Sequence, residues 1–224
     1  MLDQILNDYQ SHIFIGMGGS GKTEIAINIA IKLKEKNPNV AIVDLDVVTP
    51  YFRVRDKIEE LKSMNLFVIT PPEKYIYVDL PIVPAEVGGY LVNPNYKTVL
   101  DVGGDEKGAT VLGSLKNFLD NSKKVVYFVV NTRRPYTQDK NNIKKCMFQI
   151  EKKTRTKIDF LICNTHLKEE TTNSIIEEGE RILESVSKDT GVPVLFTAIS
   201  NIISENFITR FEKLPIKLFF EGDY

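Results

Sequence analysis

The sequence of 224 residues contains no tryptophan, only two histidines and only two cysteines. The cysteines, Cys146 and Cys163, are far apart and form neither a C-x-x-C nor a C-x-C pair. This spacing argues against a disulfide framework and against a metal site made only of cysteines within one chain. The chemistry of the protein therefore rests with other residue types.

An excess of positive charge and a long apolar run are also missing. Lysine and arginine number 29 and aspartate and glutamate number 30, so the net charge is −1. Nucleic acid is therefore not favoured as a partner, although a local basic patch is not excluded. No apolar run approaches the ~18–20 residues of a membrane span, and residues 1–4 lack the basic start and apolar core of a secretory signal. We expect a cytoplasmic enzyme with no membrane span.

The remaining composition is that of an ordinary globular protein. Charged residues make up 26% and apolar residues 42% of the chain, and this length suffices for one domain with a full core. The sequence contains no internal repeat, low-complexity segment or linker. We therefore expect a single domain over residues 1–224.

The most informative stretch fits G-x-x-x-x-G-K-[ST] and reads Gly16-Met17-Gly18-Gly19-Ser20-Gly21-Lys22-Thr23. A short apolar run precedes it and a segment with helical period follows, which is the strand–loop–helix context that gives the motif meaning. Glycines let backbone amides turn inward around a polyphosphate, and the helix N-terminus adds a positive dipole end. Lys22 is expected to face solvent until it reaches the β- and γ-phosphates, and the Thr23 hydroxyl to bind Mg²⁺. The expected phosphate-binding residues are Gly18, Gly19, Ser20, Gly21, Lys22 and Thr23.

Apolar runs typical of strands alternate with segments of helical period along the whole chain. This alternation predicts an α/β fold with a three-layer, doubly wound, mostly parallel sheet. Together with the glycine-rich motif, it indicates the P-loop NTPase fold. Residues 81–96 contain three prolines and two glycines and are expected to be irregular. A final helix is expected over residues 207–211. Strands are expected near residues 12–15, 40–43, 66–69, 97–102, 125–130, 160–163 and 192–196, with an edge strand at 75–80.

Polar residues follow several of these apolar runs directly. They are Gly16, Asp44, Asp46, Asp101, Asn131 and Asn164. Because a ligand in an open α/β sheet binds beyond the carboxyl ends of the strands, we expect these residues to converge on one crevice.

The acidic strand ends point to metal binding and water activation. Asp101 begins D-x-x-G, so its carboxylate is expected to hold Mg²⁺ directly or through water, while Gly104 lets a backbone amide approach the γ-phosphate. Asp46 is expected to orient the attacking water. Asp44 is expected to contact the water shell of the metal or, alternatively, to cap the bend that follows. Asn164 offers a donor and an acceptor, which suits an adenine edge or the ordering of a loop.

Together these motifs resemble the MinD/ParA/nitrogenase-iron-protein (CobQ/CobB/MinD/ParA) class of P-loop ATPases. Residues 18–23 look like the G-G-x-G-K-T of that class, and Asp44-Leu45-Asp46 looks like its second-strand motif, in which the later aspartate orients water. Residues 101–105 are similar to its D-x-x-G-D switch, and Ile162-Cys163-Asn164 to its adenine-binding strand. The resemblance implies an ATPase that uses ATP and Mg²⁺, forms a nucleotide-sandwich homodimer and changes its switch segments on hydrolysis. It also implies a protein partner that the sequence does not identify.

The chain departs from that class in three places. Met17 replaces a signature lysine that reaches the partner's nucleotide, and Arg53 or Arg55 is a candidate substitute. Residues 106–108 stand where iron–sulfur members carry a cysteine, so no iron–sulfur cluster is expected. The C-terminal residues 213–224 contain proline and end in acidic residues, which favours a packed C-terminus over a membrane-targeting helix.

The favoured hypothesis is a regulatory ATPase whose catalytic residues are Lys22, Asp46 and Asp101. One alternative is an ATP-dependent small-molecule kinase or synthetase, with an acceptor pocket at residues 81–96 and 131–137. Another is a metal-insertion accessory ATPase that uses Cys146 or Cys163 across a dimer. The absence of lysine at Met17 also leaves open a nucleotide sensor that hardly hydrolyses.

Overall fold

An eight-stranded parallel sheet organises the chain in a computed structural model that describes residues 1–46, 52–72, 83–104, 106–203 and 206–220. Residues 106, 107 and 109 are described by their backbone alone. The expected edge strand at 75–80 lies outside the described residues. The strands are β1 (Ser11–Gly16), β2 (Val40–Leu45), β3 (Phe67–Ile69), β4 (Lys97–Gly103), β5 (Lys124–Val130), β6 (Phe160–Cys163), β7 (Val194–Ser200) and β8 (Glu212–Ile216).

Helices cover both faces of this sheet, so the expected three-layer, doubly wound arrangement is confirmed. The helix α2 packs on one face and α5, α7 and α8 on the other, and we call these the α2 face and the α7 face. A 3₁₀ turn at Val54–Lys57 precedes α3. The helices are α1 (Leu2–Asp8), α2 (Lys22–Lys34), α3 (Ile58–Ser63), α4 (Val87–Val92), α5 (Glu106–Ser114), α6 (Lys116–Asp120), α7 (Lys140–Thr154) and α8 (Asn173–Thr190).

The strand order is β3-β2-β4-β1-β5-β6-β7-β8, and it places a crevice at the end of β1. The chain passes from β1 to β2, returns to form β4 beside β1, and continues with β5 on the other side of β1. The direction of the strand order therefore changes around β1, which is where an open parallel sheet leaves room for a ligand. The loop that follows β1 fills this position.

The strands carry two charged residues into the sheet interior. Asp44 in β2 and Asp101 in β4 are register partners, and both side chains are fully buried. Their neighbours Val43 and Leu100 pack on the α7 face. Because side chains alternate along a strand, the two carboxylates lie on the α2 face, toward the helix that follows the glycine-rich loop.

Two expectations about secondary structure are corrected. The final helix at 207–211 is wrong, because the described part of this segment is not helical and leads into the edge strand β8. The expectation of irregular structure at 81–96 is only partly right, because Val87 and Leu91 pack α4 onto the α7 face. Gly88 permits this packing, since a Cβ there would lie 2.6 Å from the Phe118 ring.

The C-terminal segment packs against the domain as expected, and Phe219 and Phe220 are buried. Residues 221–224 lie outside the described chain. Among the described helices, none combines the length and the hydrophobicity needed to cross a membrane.

Candidate functional site

The glycine-rich loop curls between the last residue of β1 and the first turn of α2. Gly19 and Gly21 have φ values of +76° and +79°, a region that L side chains rarely adopt. The amide of Ser20 donates to the Met17 carbonyl at 3.0 Å and closes a turn. Lys22 and Thr23 then begin α2, so their backbone amides lie at the positive end of the helix. This geometry is that of a phosphate-binding loop.

The ends of neighbouring strands pack tightly around the loop. A Cβ on Gly16 would lie 2.9 Å from the Val129 carbonyl oxygen of β5, and one on Gly104 would lie 2.4 Å from the Gly16 carbonyl oxygen. Gly104 thus lies against the start of the loop, on the side where the switch segment was expected. Asn164 closes the other side, because its Nδ2 donates to the Ser20 carbonyl at 2.8 Å.

Lys22 is buried, with a side chain that is 6% exposed, and its Nζ forms an ion pair with Asp46 Oδ2. Burial opposes its charge, but Asp101, Asp46 and Asp44 outweigh that effect and raise the pKa of Lys22. The expectation that Lys22 faces solvent before nucleotide binds is therefore wrong. Buried carboxylates attract the ammonium inward.

Thr23 and Asp101 form the second polar pair of the site. The Thr23 hydroxyl donates to Asp101 Oδ2 at 2.6 Å. Asp101 Oδ1 is buried and has no hydrogen-bond partner among the described residues. Burial raises the pKa of Asp101 to about 7, although the Lys22 charge opposes the shift. A hydroxyl beside a buried carboxylate with one unsatisfied oxygen fits a hydrated Mg²⁺.

Asp44 has a different environment. Its Oδ2 accepts from Arg55 Nε at 2.7 Å and from the Arg55 amide at 3.1 Å. Its Oδ1 accepts from Arg55 Nη2 at 3.1 Å and from the Asp46 amide at 3.2 Å. Arg55 Nη2 also donates to the Asp46 carbonyl at 3.1 Å. Both carboxylate oxygens are thus engaged, and this arrangement favours positioning of Asp46 over the metal contact expected of Asp44.

Neither arginine suggested as a substitute for the signature lysine extends into solvent. Arg53 and Arg55 are only 7% and 8% exposed, and the guanidinium of Arg55 is held by Asp44. Met17 packs against the core of the α7 face. Contact of either arginine with a second subunit's nucleotide gains no support from these positions.

A cavity of about 470 Å³ adjoins the loop, between the ends of β6 and β7, the first turn of α2 and the segment after β8. Its lining combines apolar and polar residues, which is typical of small-molecule sites. The lining residues from the loop, from α2 and from the segments after β5 and β6 include Gly19, Gly21, Lys22, Thr23, Arg134, Asn164 and His166, and the apolar residues include Ile176, Ala198, Ile203, Ile216, Leu218 and Phe220.

Some of these cavity residues were expected only in part and others not at all. Arg134 belongs to residues 131–137, which were suggested as an acceptor pocket, but nothing in the sequence distinguished it from Arg133 as the arginine whose Nε donates to the Gly19 carbonyl, at 3.1 Å. Leu218 and Phe220 reach the cavity because the Glu24 carboxylate accepts from the Phe219 and Phe220 amides at 2.9–3.1 Å. No local sequence signal predicts contacts across nearly the whole chain.

Asn131 organises the loops beside the cavity. Its Nδ2 donates to the His166 carbonyl at 3.1 Å, and its Oδ1 accepts from the Arg133 and His166 amides at 2.9 and 3.3 Å. It therefore joins the ends of β5 and β6. Burial, followed by the charges of Arg134 and Lys168, lowers the pKa of His166 to about 4, so its imidazole is neutral near pH 7.

Of the features proposed for the alternative functions, the two cysteines and the described part of residues 81–96 do not line the cavity, whereas residues 131–137 contribute Arg134 to it. Cys146 and Cys163 are both buried, and burial raises the pKa of Cys163 to about 12. Within the part of residues 81–96 that the structure describes, α4 packs on the α7 face rather than beside the cavity. Neither position favours a metal-handling thiol or an acceptor pocket there.

The sheet order and the loop define a P-loop nucleotide-binding protein with the α/β P-loop NTPase fold. Residues 12–201 match the family model of the CobQ/CobB/MinD/ParA nucleotide binding domain, CbiA, and the chain belongs to this family. The resemblance inferred from the motifs is thus confirmed. No curated protein is significantly similar in sequence to the chain.

Solved structures include others with this fold. The chain is similar to the cell division protein FtsY from Thermotoga maritima, with a TM-score of 0.55 and 16% identity, over 84% of this chain and 61% of that one. It is also similar to the signal recognition particle 54 kDa protein from Aeropyrum pernix K1 in complex with GDP, with a TM-score of 0.41 and 14% identity, over 88% of this chain and 36% of that one. The chain thus spans less than two thirds of either protein. At such identity, the first likeness supports the fold alone.

Proposed function

We propose that residues 1–224 act as one domain that binds ATP with Mg²⁺ and hydrolyses it, and that bound nucleotide controls assembly with a second copy or another protein. The main support for this proposal is a group of four buried residues at the glycine-rich loop, which are Lys22, Thr23, Asp46 and Asp101. It combines a phosphate-binding cation with a magnesium-binding pair and a carboxylate for the attacking water.

In this proposal Thr23 and Asp101 hold Mg²⁺, which neutralises charge on the β- and γ-phosphates when bound. The support is the unsatisfied Asp101 Oδ1 beside the Thr23 hydroxyl. Asp44 does not touch the metal. It positions Asp46 through Arg55 and through the Asp46 amide.

Nucleotide binding changes the partner of Lys22. Its ammonium is paired with Asp46 in the structure, and a triphosphate in the loop offers stronger charge to the same ammonium. The Asp46 carboxylate is then released and accepts a hydrogen bond from the attacking water, which orients that water toward the γ-phosphate. The catalytic carboxylate thus becomes available only when substrate is present.

We assign the nucleotide base to the cavity because of the position of Asn164. Its Nδ2 uses one of its two hydrogens to donate to the Ser20 carbonyl, and its side-chain oxygen is a hydrogen-bond acceptor. The amino group of adenine offers a matching donor, whereas the corresponding position of guanine is a carbonyl acceptor. The side-chain oxygen therefore favours ATP, whereas the second Nδ2 hydrogen matches the guanine carbonyl, so the proposed preference for ATP rests on the oxygen alone.

The test measures binding of ATP·Mg²⁺ and GTP·Mg²⁺ by calorimetry and phosphate release at steady state. We expect tighter binding of ATP, and an Asp46→Asn variant that still binds ATP but hydrolyses it ~100-fold or more slowly. Asp120→Asn, which alters an exposed carboxylate on α6, serves as the control. A protein that binds neither nucleotide would refute the proposal, and turnover that requires a small acceptor molecule would favour the kinase or synthetase instead.

A further inference from the structure

Arg134 lies over the glycine-rich loop from the segment that follows β5. A Cβ on Gly19 would lie 2.8 Å from its Nε and 3.2 Å from its Cζ, and Nε donates to the Gly19 carbonyl. Its two Nη groups form no hydrogen bond or ion pair with the described residues. One nitrogen therefore fixes the guanidinium against the loop while the others remain as donors.

The cavity places this guanidinium on a particular side of the loop. Arg134 lines the cavity together with Lys22, Thr23 and Asn164. Asp46 and Asp101 pair with Lys22 and Thr23 from the sheet interior, and they are not among the residues that line this cavity. Arg134 therefore lies on the cavity side of the loop, and the carboxylates assigned to hydrolysis do not line that cavity.

We propose that Arg134 is a nucleotide-binding residue that supplies a second positive charge to the phosphates of the bound nucleotide from within the same chain. This inference rests on the proposed function of the loop. Arg134 acts on the bound ground state, because it lies on the cavity side of the loop and not beside the carboxylates assigned to hydrolysis, and it contributes equally to diphosphate and triphosphate binding. A guanidinium is suited to this role because its several fixed donors engage more than one phosphate oxygen.

The neighbouring arginine provides a matched control. Arg133 forms an ion pair with Glu178 and does not line the cavity. The experiment compares the full chain with Arg134→Ala, Arg134→Lys and Arg133→Ala by calorimetric titration with ADP, ATP·Mg²⁺ and adenosine, at low and high salt, and by steady-state hydrolysis.

We expect Arg134→Ala to weaken ADP and ATP binding by the same factor, ~10–100-fold. The value of kcat should stay within about twofold of wild type, because only ground-state binding is removed. Arg134→Lys should recover part of the affinity, Arg133→Ala should bind like wild type, and the effect should shrink at high salt.

Three results would overturn the inference. They are unchanged ADP affinity in Arg134→Ala, a fall in kcat with affinity retained, and a loss of adenosine affinity as large as that of ADP. The first would show that Arg134 does not contact the phosphates. The second would show that it stabilises the transition state, and the third that it contacts the nucleoside. Failure of the wild-type protein to bind any nucleotide would instead refute the proposed function.

Discussion

At the scale of single residues, the charged groups of the site are paired with one another. Lys22 and Asp46 form a buried ion pair, and Asp44 is held by Arg55. Buried charges are costly unless they are paired, so each partner makes the other tolerable in the core. These residues therefore contribute to folding as well as to the proposed chemistry.

The first prediction concerns Lys22→Ala. Phosphate affinity should fall by about 2–4 kcal/mol, because a charged contact is lost. Stability should also fall by about 3–5 kcal/mol, because Asp46 is left buried without its cation. Calorimetry with ADP and urea denaturation measure the two effects. The Lys22→Ala/Asp46→Ala double variant should be more stable than Lys22→Ala, and the opposite order would contradict the pairing argument.

The second prediction concerns His12, which is buried in β1 with Nδ1 3.0 Å from the Tyr127 hydroxyl. Burial, aided by the Lys97 charge, lowers its pKa to about 3. The unfolded chain therefore takes up a proton at this site as pH falls below about 6.5, while the folded chain does not until about pH 3. Stability should rise with pH across this window, and this contribution is fully present above about pH 6.5.

Denaturant unfolding at several pH values between 4.5 and 6.5 tests this. In His12→Gln the free energy of unfolding should rise less steeply with pH, by up to about 1.4 kcal/mol per pH unit relative to wild type. The variant loses the titrating group but keeps polar atoms near Tyr127. Equal slopes in the two proteins would show that His12 is not held neutral by folding.

At the scale of elements, α2 is tied to the C-terminal segment as well as to the loop before it. Asn28 exchanges two hydrogen bonds of 2.8 Å with the backbone of Lys217. Glu24, one residue after Thr23, accepts from the amides of Phe219 and Phe220. The helix that begins at the phosphate loop therefore also positions the apolar wall of the cavity.

The third prediction is that Glu24→Ala loosens this segment. Because two amides would lose their charged acceptor, stability should fall by about 1–3 kcal/mol. Hydrogen exchange at Phe219 and Phe220 should accelerate more than exchange in the centre of α2. Lys32→Ala, which removes a partly exposed side chain on the same helix that pairs with Asp3 and not with the C-terminal segment, is the control. Identical exchange at the C-terminal segment in both variants would contradict the assigned role.

Elements with a strong hydrophobic pattern in the sequence were predictable, whereas elements that depend on tertiary contacts were not. The runs at residues 13–15 in β1 and 125–130 in β5 are continuously apolar, because both faces of these central strands are covered. The strand β8 contains Pro215 and two charged residues, which edge strands tolerate and which obscure the pattern. The helix α4 contains two glycines and gains its stability from packing.

At the scale of the whole molecule, the sheet order decides which residues meet. That Thr23 and Asp101 would converge was predictable, since both follow or end central parallel strands. The ion-pair partners of Lys22 and Asp44 were not predictable, because they depend on which carboxylate is buried beneath α2. The apolar residues that line the cavity were not predictable from the sequence either. Phe52 and Phe220, for example, are far apart in the chain, and only the complete fold brings their rings to 5.6 Å from each other.

The last prediction concerns assembly. The Asp46→Asn variant should retain uncleaved ATP. If bound ATP controls self-association, the molecular mass of this variant in solution should therefore increase with ATP·Mg²⁺ and not with ADP. Light scattering over a range of protein concentrations measures this, and adding Lys22→Ala should abolish the change by removing phosphate binding. Met17 packs against the core and carries no charge, so hydrolysis per chain in the wild type should not rise with protein concentration. A hydrolysis rate per chain that rises with protein concentration would show that a second subunit completes the site through another residue. A molecular mass that does not change when nucleotide is added would show that nucleotide does not control self-association.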